Sequence, residues 1–456
     1  MKAIFKKAKD SDFNELYKLQ AISFQGSIDI LSSKGISISL PNPELLKQRY
    51  PDMDFFKLID DHGIIGGAYT KKLDAVTCEI YRIFVSPQKQ MQGFGSMILS
   101  NIIEAYPECT DFVLDTPTLL DNNLRFYKKN CFTCRQVKQV SNYELQHLVR
   151  TVNRNAVTGL KPSDGGLHLG HFVGNISPLI RFQDIYNCSF MFADWQVLNS
   201  NIAYYDKKHL DSNMSLILKQ IFALGVKPNK LKILMESKDK ALMLEEFVWL
   251  SDFITDSRVY RLPAIGHTKD QERTVKMSLM SYPLLQALDC IITKADVVFS
   301  NIDNKACIEL INELFKKVEK KGLKDYKPIK LITGKVDMLI GIDGQKMSKA
   351  KGNCISFLDT EDEIRKKINK MYTDSSRISA DTPGQVDNNI VFKYLKVFAS
   401  ETDYDNLSRE YLNGTISDAR TKEILLDLIL TIFDEYRKSF EEISDSDVEQ
   451  FLGEYK

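Results

Sequence analysis

The apolar positions of this chain switch repeatedly between the two-residue period of a strand and the three-to-four-residue period of a helix. Lys2 to Phe5 reads as a short strand, and Asp10-Ser11-Asp12 caps a periodic helix from Phe13 to Phe24. Phe55 to Asp60 and Ile64 to Ala68 flank His62-Gly63 and predict a hairpin. Glu79 to Val85 is a further strand closed by Pro87. Ser96 to Ala105 reads as a helix, Phe112 to Asp115 as a late strand and Arg125 to Cys131 as a second helix.

The same alternation continues after residue 150. Ala156 to Gly159 is a short apolar strand, and the helix after it carries the stripe Phe172, Val173, Ile176, Leu179, Ile180 and Phe182. Cys188 to Leu198 is a nearly continuous apolar run, as a buried parallel strand requires. Leu231 to Met235 and Ala295 to Phe299 are strands, with helices Asn213 to Leu224 and Ser281 to Ile292 between them. Strand–helix alternation of this kind predicts a doubly wound parallel sheet with its ligand at the carboxyl ends of the strands. Beyond residue 357 only helical periodicity remains, at Thr360 to Tyr372, Asn389 to Phe398 and Ile416 to Phe440. The expected organisation is an α/β domain over 1–146, a larger α/β domain over 150–356 and a helical domain over 357–456. Gln136 to Arg150 reads as a short connector, poor in Gly and Ser.

Composition narrows this picture. A chain of 456 residues exceeds one ordinary domain. Its 61 basic and 61 acidic residues cancel, so attraction of the whole molecule to nucleic acid is excluded. Any RNA contact has to come from local runs such as Lys316, Lys317, Lys320 and Lys321, or Arg365, Lys366, Lys367 and Lys370. Eight scattered cysteines predict a reducing, cytoplasmic setting and no disulfide framework. Cys131 and Cys134 form a CxxC that no second pair answers, so no metal site is expected. No apolar run reaches membrane-spanning length.

The chemistry concentrates in Pro162 to Gly174, PSDGGLHLGHFVG. A glycine-rich turn running into a helix aims free N–H groups and a positive dipole end at an anion. His168 and His171 lie three apart in it. Far downstream, Lys346-Met347-Ser348-Lys349-Ala350 precedes Gly352. This pair of motifs, in this order, resembles the HIGH and KMSKS signatures of class I aminoacyl-tRNA synthetases. With Phe192-Ala193-Asp194-Trp195, Tyr282-Pro283 and the segment TDSSRISADTPG at 373–384, the resemblance is to the tryptophanyl branch, and the tyrosyl branch shares the fold. It implies a Rossmann-like catalytic domain, a helical anticodon-reading domain, a homodimer, and ATP-dependent ligation of tryptophan to tRNA through an aminoacyl-adenylate. It also implies roles. His168, His171, Lys346 and Lys349 are catalytic donors to the phosphates, with Mg²⁺ sharing the pyrophosphate charge. Lys161, Gly170, Asp303, Met347 and Ser348 are ATP contacts. Gly159, Gln196, Tyr282, Gln286, Asp289 and Asn304 line the amino-acid pocket. Tyr282, Gln286 and Asp289 share one helix face by spacing alone.

In the first domain, a strand, the turn Gln90-Met91-Gln92-Gly93-Phe94-Gly95 and a helix form a QxxGxG pyrophosphate cradle. With the capped first helix and Phe126-Tyr127-Lys128-Lys129-Asn130-Cys131-Phe132, it resembles the GNAT N-acetyltransferases over about residues 1–140. The resemblance implies acetyl-CoA held at Val85, Gln90, Gly93, Gly95 and Ser96, and Tyr127 as the acid for the departing thiolate. Glu79 is the candidate base.

Several positions depart from these patterns. Asn301-Ile302-Asp303-Asn304 stands where a GEDQ segment is usual, Gln196 where a His is usual, Ala350 for the last Ser, and Cys131 for a Gly. The glycine-rich turn also has one extra residue. The alternative reading is a paralogue that activates a tryptophan-like or tyrosine substrate, its product or a toxic analogue being acetylated by the first domain.

Overall fold

The computed structural model describes residues 3–37, 40, 42–162, 165–199, 206–238, 240–263, 265–266, 274–374, 377, 379 and 381–455. The expectations on Lys2, Ser163, Asp164, Ser375, Ser376, Ile378 and Ala380 lie outside the described residues. The chain forms two compact units, Met1–Arg154 and Asn155–Lys456, each with its own sheet.

The first sheet runs β1 (Ile4–Lys7), β2 (Asp54–Asp60), β3 (Gly63–Lys72), β4 (Thr77–Val85), β5 (Asp111–Pro117), β6 (Thr133–Val140) and β7 (Tyr143–Thr151) in chain order. In space the order is β1-β2-β3-β4-β5-β7-β6, antiparallel except where β4 meets β5. Ile98, Leu99 and Ile102 of the helix Phe94–Ala105 bury against Cys78, Ile80 and Phe112 on one face. Phe13 and Leu16 of the helix Phe13–Ser32 bury against Phe55, Tyr69 and Phe84 on the other. Each such side chain contributes about 1.5–3 kcal/mol by leaving water.

The expected connector at 136–150 is instead β6 and β7, a hairpin paired from Thr133↔Val149 to Val140↔Tyr143. Its outer strand is an exposed edge with Arg135, Gln136, Lys138 and Gln139, and that polarity hid it. The boundary therefore lies at 154, not at 146–150. Arg154 closes the unit, its buried guanidinium donating to the carbonyls of Ile103 at 2.6 Å and Tyr106 at 3.3 Å.

The second sheet is fully parallel, in the order β10-β9-β8-β11-β12. Its strands are β8 (Asn155–Leu160), β9 (Asn187–Phe192), β10 (Leu231–Met235), β11 (Val297–Phe299) and β12 (Lys330–Ile332). The chain winds outward from β8 in one direction and resumes from β8 in the other, a doubly wound Rossmann-like topology whose switch point lies between β8 and β11. β9 is shorter than its apolar run suggested. After Phe192 the chain leaves the sheet into the 3₁₀ turn Trp195–Asn199, because the Trp195 and Gln196 N–H groups turn to the Glu236 carboxylate at 2.9 and 3.2 Å. The helices Glu361–Asn369, Ile390–Phe398, Glu401–Leu412, Asp418–Glu442 and Asp445–Gly453 belong to the same compact unit as this sheet. No helix among the described residues is long and apolar enough to cross a membrane.

Candidate functional site

β11 pairs with β8 only at Val297↔Ala156 and Val298↔Val157, and beyond these the strands part. The Thr158 hydroxyl donates to the Phe299 carbonyl at 2.8 Å, and the Asn175 amide donates to Thr158 Oγ1 at 3.0 Å. Asn175 lies in the π turn Phe172–Ile176, which interrupts the helix after the histidines. A cavity of about 450 Å³ opens at this switch point, lined by His168, His171, Lys346 and Met347 together with Tyr282, Gln286 and Asp289.

His168 is the N-cap of the helix that starts at Leu169. The two backbone N–H groups and the two rings cap each other: His171 N–H donates to His168 Nδ1 at 3.3 Å and His168 N–H to His171 Nδ1 at 3.4 Å. The rings stack at 3.7 Å. Both Nδ1 atoms are acceptors, so each ring is neutral and carries its proton on Nε2. Burial and then the Lys349 charge push the His168 pKa down to about 4; burial, His168 and Lys349 hold His171 well below its ordinary range. The pair therefore supplies N–H donors, and the positive charge falls to lysines. A Cβ at Gly170 would meet His168 Cε1 and Met347 Sδ at 2.9 Å, so glycine lets the imidazole and Met347 pack against the helix start.

The lysine loop is tied to this turn. Lys349 Nζ donates to the Gly166 carbonyl and Lys346 Nζ pairs with Asp303. Leu169 N–H donates to Ile355 O, and Phe357 N–H to Leu167 O, both at 3.0 Å. Three organisers lay outside the sequence reading. Asn353 accepts Ser348 N–H at 2.7 Å and donates to Asp343 at 2.8 Å. Buried Gln220 accepts Leu167 N–H at 2.7 Å. Glu236, the third, follows β10, where carboxyl ends of strands are the place to look.

Glu236 lies behind Gln196 and Asp289, which line the cavity. Gln196 Nε2 donates to Glu236 Oε1 at 2.7 Å and to Asp289 Oδ2 at 3.5 Å. Burial pushes the Glu236 pKa up to about 7, and burial followed by the Glu236 charge raises Asp289 well above its range. Asp289 Oδ1, Gln286 Oε1 and Asn301 Oδ1 are buried without a hydrogen-bond partner. Of the other expected contacts, Tyr282 is hydrogen-bonded to Cys307 and Asn304 Nδ2 donates to Ser300 Oγ at 2.5 Å. Gly159 sits where a Cβ would meet Met191 O at 2.5 Å. Lys161 lines the cavity, its pKa lowered by burial and by Lys346 against the pull of Glu236. The basic runs are partly neutralised: Lys317 pairs with Glu313, Arg365 with Glu361 and Lys367 with Asp359.

The donors fit a triphosphate: neutral N–H groups and Lys346 lining a cavity, with Lys349 on the glycine turn beside them. Mg²⁺ finds no cluster of three His, Cys, Asp or Glu side chains among the described residues.

In the first unit β4 and β5 pair only over Thr77–Glu79 with Asp111–Val113, then separate. Tyr81 is an extra residue in β4, since Tyr69 faces Arg82 while Thr70 faces Ile80, and this bulge bends the strand. The parted strands lead to Gly93, whose φ of 87° starts the helix Phe94–Ala105. Gln90 donates to the Val85 carbonyl at 3.1 Å, so its side chain locks the strand end and leaves the cradle to backbone N–H groups, those of Gly95 and Ser96 in the first turn among them. A Cβ at Gly95 would meet the Phe126 ring at 3.0 Å, which makes that glycine a packing position. Tyr127 is buried and its pKa pushed up to about 12 by burial. Burial raises Glu79, with Asp115 adding to it. Cys131 has φ 63°, and the bonds Phe132 N–H to Tyr127 O and Cys131 N–H to Lys128 O close a left-handed helix end, where glycine is the natural residue.

Comparison with known proteins follows the same division. Residues 151–434 match the family described as tRNA synthetases class I (W and Y), and residues 15–131 match the acetyltransferase (GNAT) family. The tryptophan–tRNA ligase of Chlamydia caviae is 30% identical over 298 residues, 64% of this chain and 86% of that protein. That of Borreliella burgdorferi is 32% identical over 277 residues, 59% and 78% of the two chains. The crystal structure of tryptophanyl-tRNA synthetase from Campylobacter jejuni superposes with a TM-score of 0.51 at 26% identity, covering 66% of this chain and 92% of that one.

Proposed function

Because the chain belongs to the class I tRNA synthetases of the tryptophan and tyrosine family, we propose that its second unit activates a tryptophan-class amino acid with ATP and ligates it to tRNA, and that its first unit transfers acetyl from acetyl-CoA to an amine. The observation that carries the first part is one cavity lined by the His168–His171 pair, Lys346 and Asp289, with Lys349 tied to the glycine turn beside the histidines.

The amino acid arrives with an ionised carboxylate, so activation needs no protein base. That carboxylate attacks the α-phosphorus of ATP and pyrophosphate leaves. The protein's task is to meet the charge that develops. His168 and His171 offer Nε2–H without adding charge, and their mutual capping holds both rings still. Lys346 and Lys349 supply the cations; exchanging Asp303 and the Gly166 carbonyl for phosphate oxygens closes the loop on substrate. Asp289 receives the donor on the amino-acid side chain. The helices after residue 357 serve the tRNA, and the protein works as a homodimer in the cytoplasm, where its eight free thiols stay reduced.

For the first unit, the cradle at Gly93 fits the pyrophosphate of acetyl-CoA, which supplies the acetyl group. Tyr127 stays protonated at neutral pH and is the candidate donor to the thiolate. The α-amine of an aminoacyl product is an acceptor that the fusion keeps at high local concentration. The test is one incubation with labelled tryptophan, ATP, tRNA and, separately, labelled acetyl-CoA. Charged tRNA is expected in the first, and label on an amine in the second; charged tRNA absent from every tRNA preparation sinks the ligase reading.

A further inference from the structure

The first unit holds an imidazole–carboxylate pair that neither the cradle nor Tyr127 uses. Asp115 on β5 stands directly across from His147 on β7, with Asp115 Oδ1 2.7 Å from His147 Nδ1. An ionised carboxylate only accepts, so Nδ1 carries the ring proton and Nε2 keeps a lone pair. Asp115 Oδ2 lies 4.0 Å from Lys138 Nζ on β6, which holds the carboxylate from a third strand. An exposed cross-strand pair of this kind does little for stability.

Its place in the sheet gives it a use. β4 and β5 part after Glu79↔Val113, and Asp115 is two residues into the parted stretch. Strands that part leave backbone N–H and C=O groups without ladder partners, and an extended ligand chain can enter a sheet there. Side chains alternate between the two faces. Cys78, Ile80, Phe112, Leu114 and Leu148 share a core with Tyr127 under the helix Phe94–Ala105, so Glu79, Asp115 and His147 share the opposite face. The gap therefore has Tyr127 on one face and the Asp115–His147 pair on the other. The Arg82 charge, in β4, draws down the pKa of both Tyr127 and Glu79 against burial, so the two faces meet along one stretch of that strand. The helix Phe13–Ser32 packs on Phe55, Tyr69 and Phe84 of β2, β3 and β4; farther across the sheet Asp115 is exposed and His147 half-buried.

We propose that His147, oriented by Asp115, is the base that takes the proton of the acceptor amine in the first unit. The inference rests on the reading of this unit as an acetyltransferase and gives that site a proton acceptor other than Glu79. The ammonium passes one proton to His147 Nε2, and the freed nitrogen attacks the thioester carbonyl carbon. The C–N bond forms and the C–S bond breaks. Tyr127 protonates the departing thiolate from the other face, and the nitrogen's second proton returns to the tyrosine through solvent. Glu79 sits on the last paired rung, before the strands part. An imidazole also ordinarily titrates near the working pH, where a base is most effective.

The experiment follows acetylation of tryptophan methyl ester, tryptamine and a lysine peptide by the full chain, from about pH 5 to about pH 10, the ordinary imidazole-to-ammonium range. The charged groups around the ring are Asp115, Lys138 and Glu79, with Lys71 and Arg82 beside Glu79. His147→Gln should lower kcat about 10²–10³-fold and erase the acidic limb of the profile, with the parent's acetyl-CoA affinity retained in calorimetry. Asp115→Asn should lower kcat about ten-fold and move that limb to lower pH, because the imidazolium loses its counter-charge. Free imidazole should restore rate to His147→Ala, which a structural role does not explain. Apart from turnover, nitrogen NMR of the histidine rings should find the His147 proton on Nδ1 in the parent, a preference lost in Asp115→Asn. A ring proton on Nε2 in the parent overturns the inference. An acidic limb that survives His147→Gln and disappears in Glu79→Gln moves the base to Glu79, leaving the acetyltransferase reading in place. Loss of acetyl-CoA affinity in His147→Gln, with no imidazole rescue of His147→Ala, makes the pair structural and overturns it too. Acetyl-CoA that binds but acetylates no probe amine removes the acetyltransferase reading and the inference together.

Discussion

In the first unit the candidate anion site is made of backbone, and in the second it is made of side chains. β4 and β5 part, a left-handed glycine opens a helix, and the turn's one conspicuous side chain, Gln90, is used on the Val85 carbonyl. β8 and β11 also part, but the gap there is dressed with Thr158, Asn175, two stacked imidazoles and Lys346 from a distant loop whose Lys349 holds the glycine turn. The difference follows from what each chemistry asks. Holding a pyrophosphate that never reacts needs only fixed N–H dipoles. Expelling one needs charge that arrives with the transition state, and backbone has none to bring.

The sharpest way to break this contrast is to remove charge in one unit and deform backbone in the other. Lys349→Ala should lower the amino-acid activation rate by about 10²–10³-fold, the usual cost of losing one preorganised donor to a developing anion. Activity within a factor of two of the parent would make the lysine loop a structural tie. Gly93→Asp places a side chain at φ 87° and a negative charge at the helix start. Its effect on acetyl-CoA affinity should be roughly ten-fold or more, with amino-acid activation untouched. A loss in both activities would mean the two units do not work separately.

Protonation sharpens the comparison on the side-chain site. His168 has its folded pKa depressed to about 4 from an ordinary 6.5, mainly by burial. Its folded state prefers the neutral ring, so the stability it contributes is fully present above pH 6.5 and is lost as pH falls through 4. The melting temperature of the second unit should therefore drop across that window, and less steeply in His168→Asn. Equal slopes would show that the ring is not held neutral. The smallest effect belongs to the backbone site. Cys131 sits at φ 63°, and Cys131→Gly should stabilise the first unit by about 0.5–1 kcal/mol, read by denaturant unfolding.

The side-chain site was legible in sequence because it is two compact motifs whose residue types are rare outside phosphate chemistry. His168, His171, Lys346, Asp289 and Gly170 all come to one cavity, and Lys349 is tied to the Gly166 carbonyl of the turn that leads into it. What stayed hidden acts one layer behind. Asn353, Gln220 and Glu236 are single polar residues with no local pattern, and their roles exist only once β10, the helix Lys207–Ala223 and the lysine loop are folded around the turn. The backbone site was legible as a glycine turn after a strand, yet the parting of β4 and β5 depends on a one-residue bulge that periodicity does not reveal. The hairpin β6–β7 was missed for a related reason. Its edge strand alternates polar with polar and carries no hydrophobic period to read.

The claim on which the rest depends is that the second unit joins an amino acid to ATP and releases pyrophosphate. ATP–pyrophosphate exchange measures that step alone, without tRNA or acetyl-CoA. The account predicts exchange that depends on an aromatic amino acid of the tryptophan class and falls away in Lys349→Ala. Protein that binds ATP yet exchanges no pyrophosphate with any amino acid would contradict it.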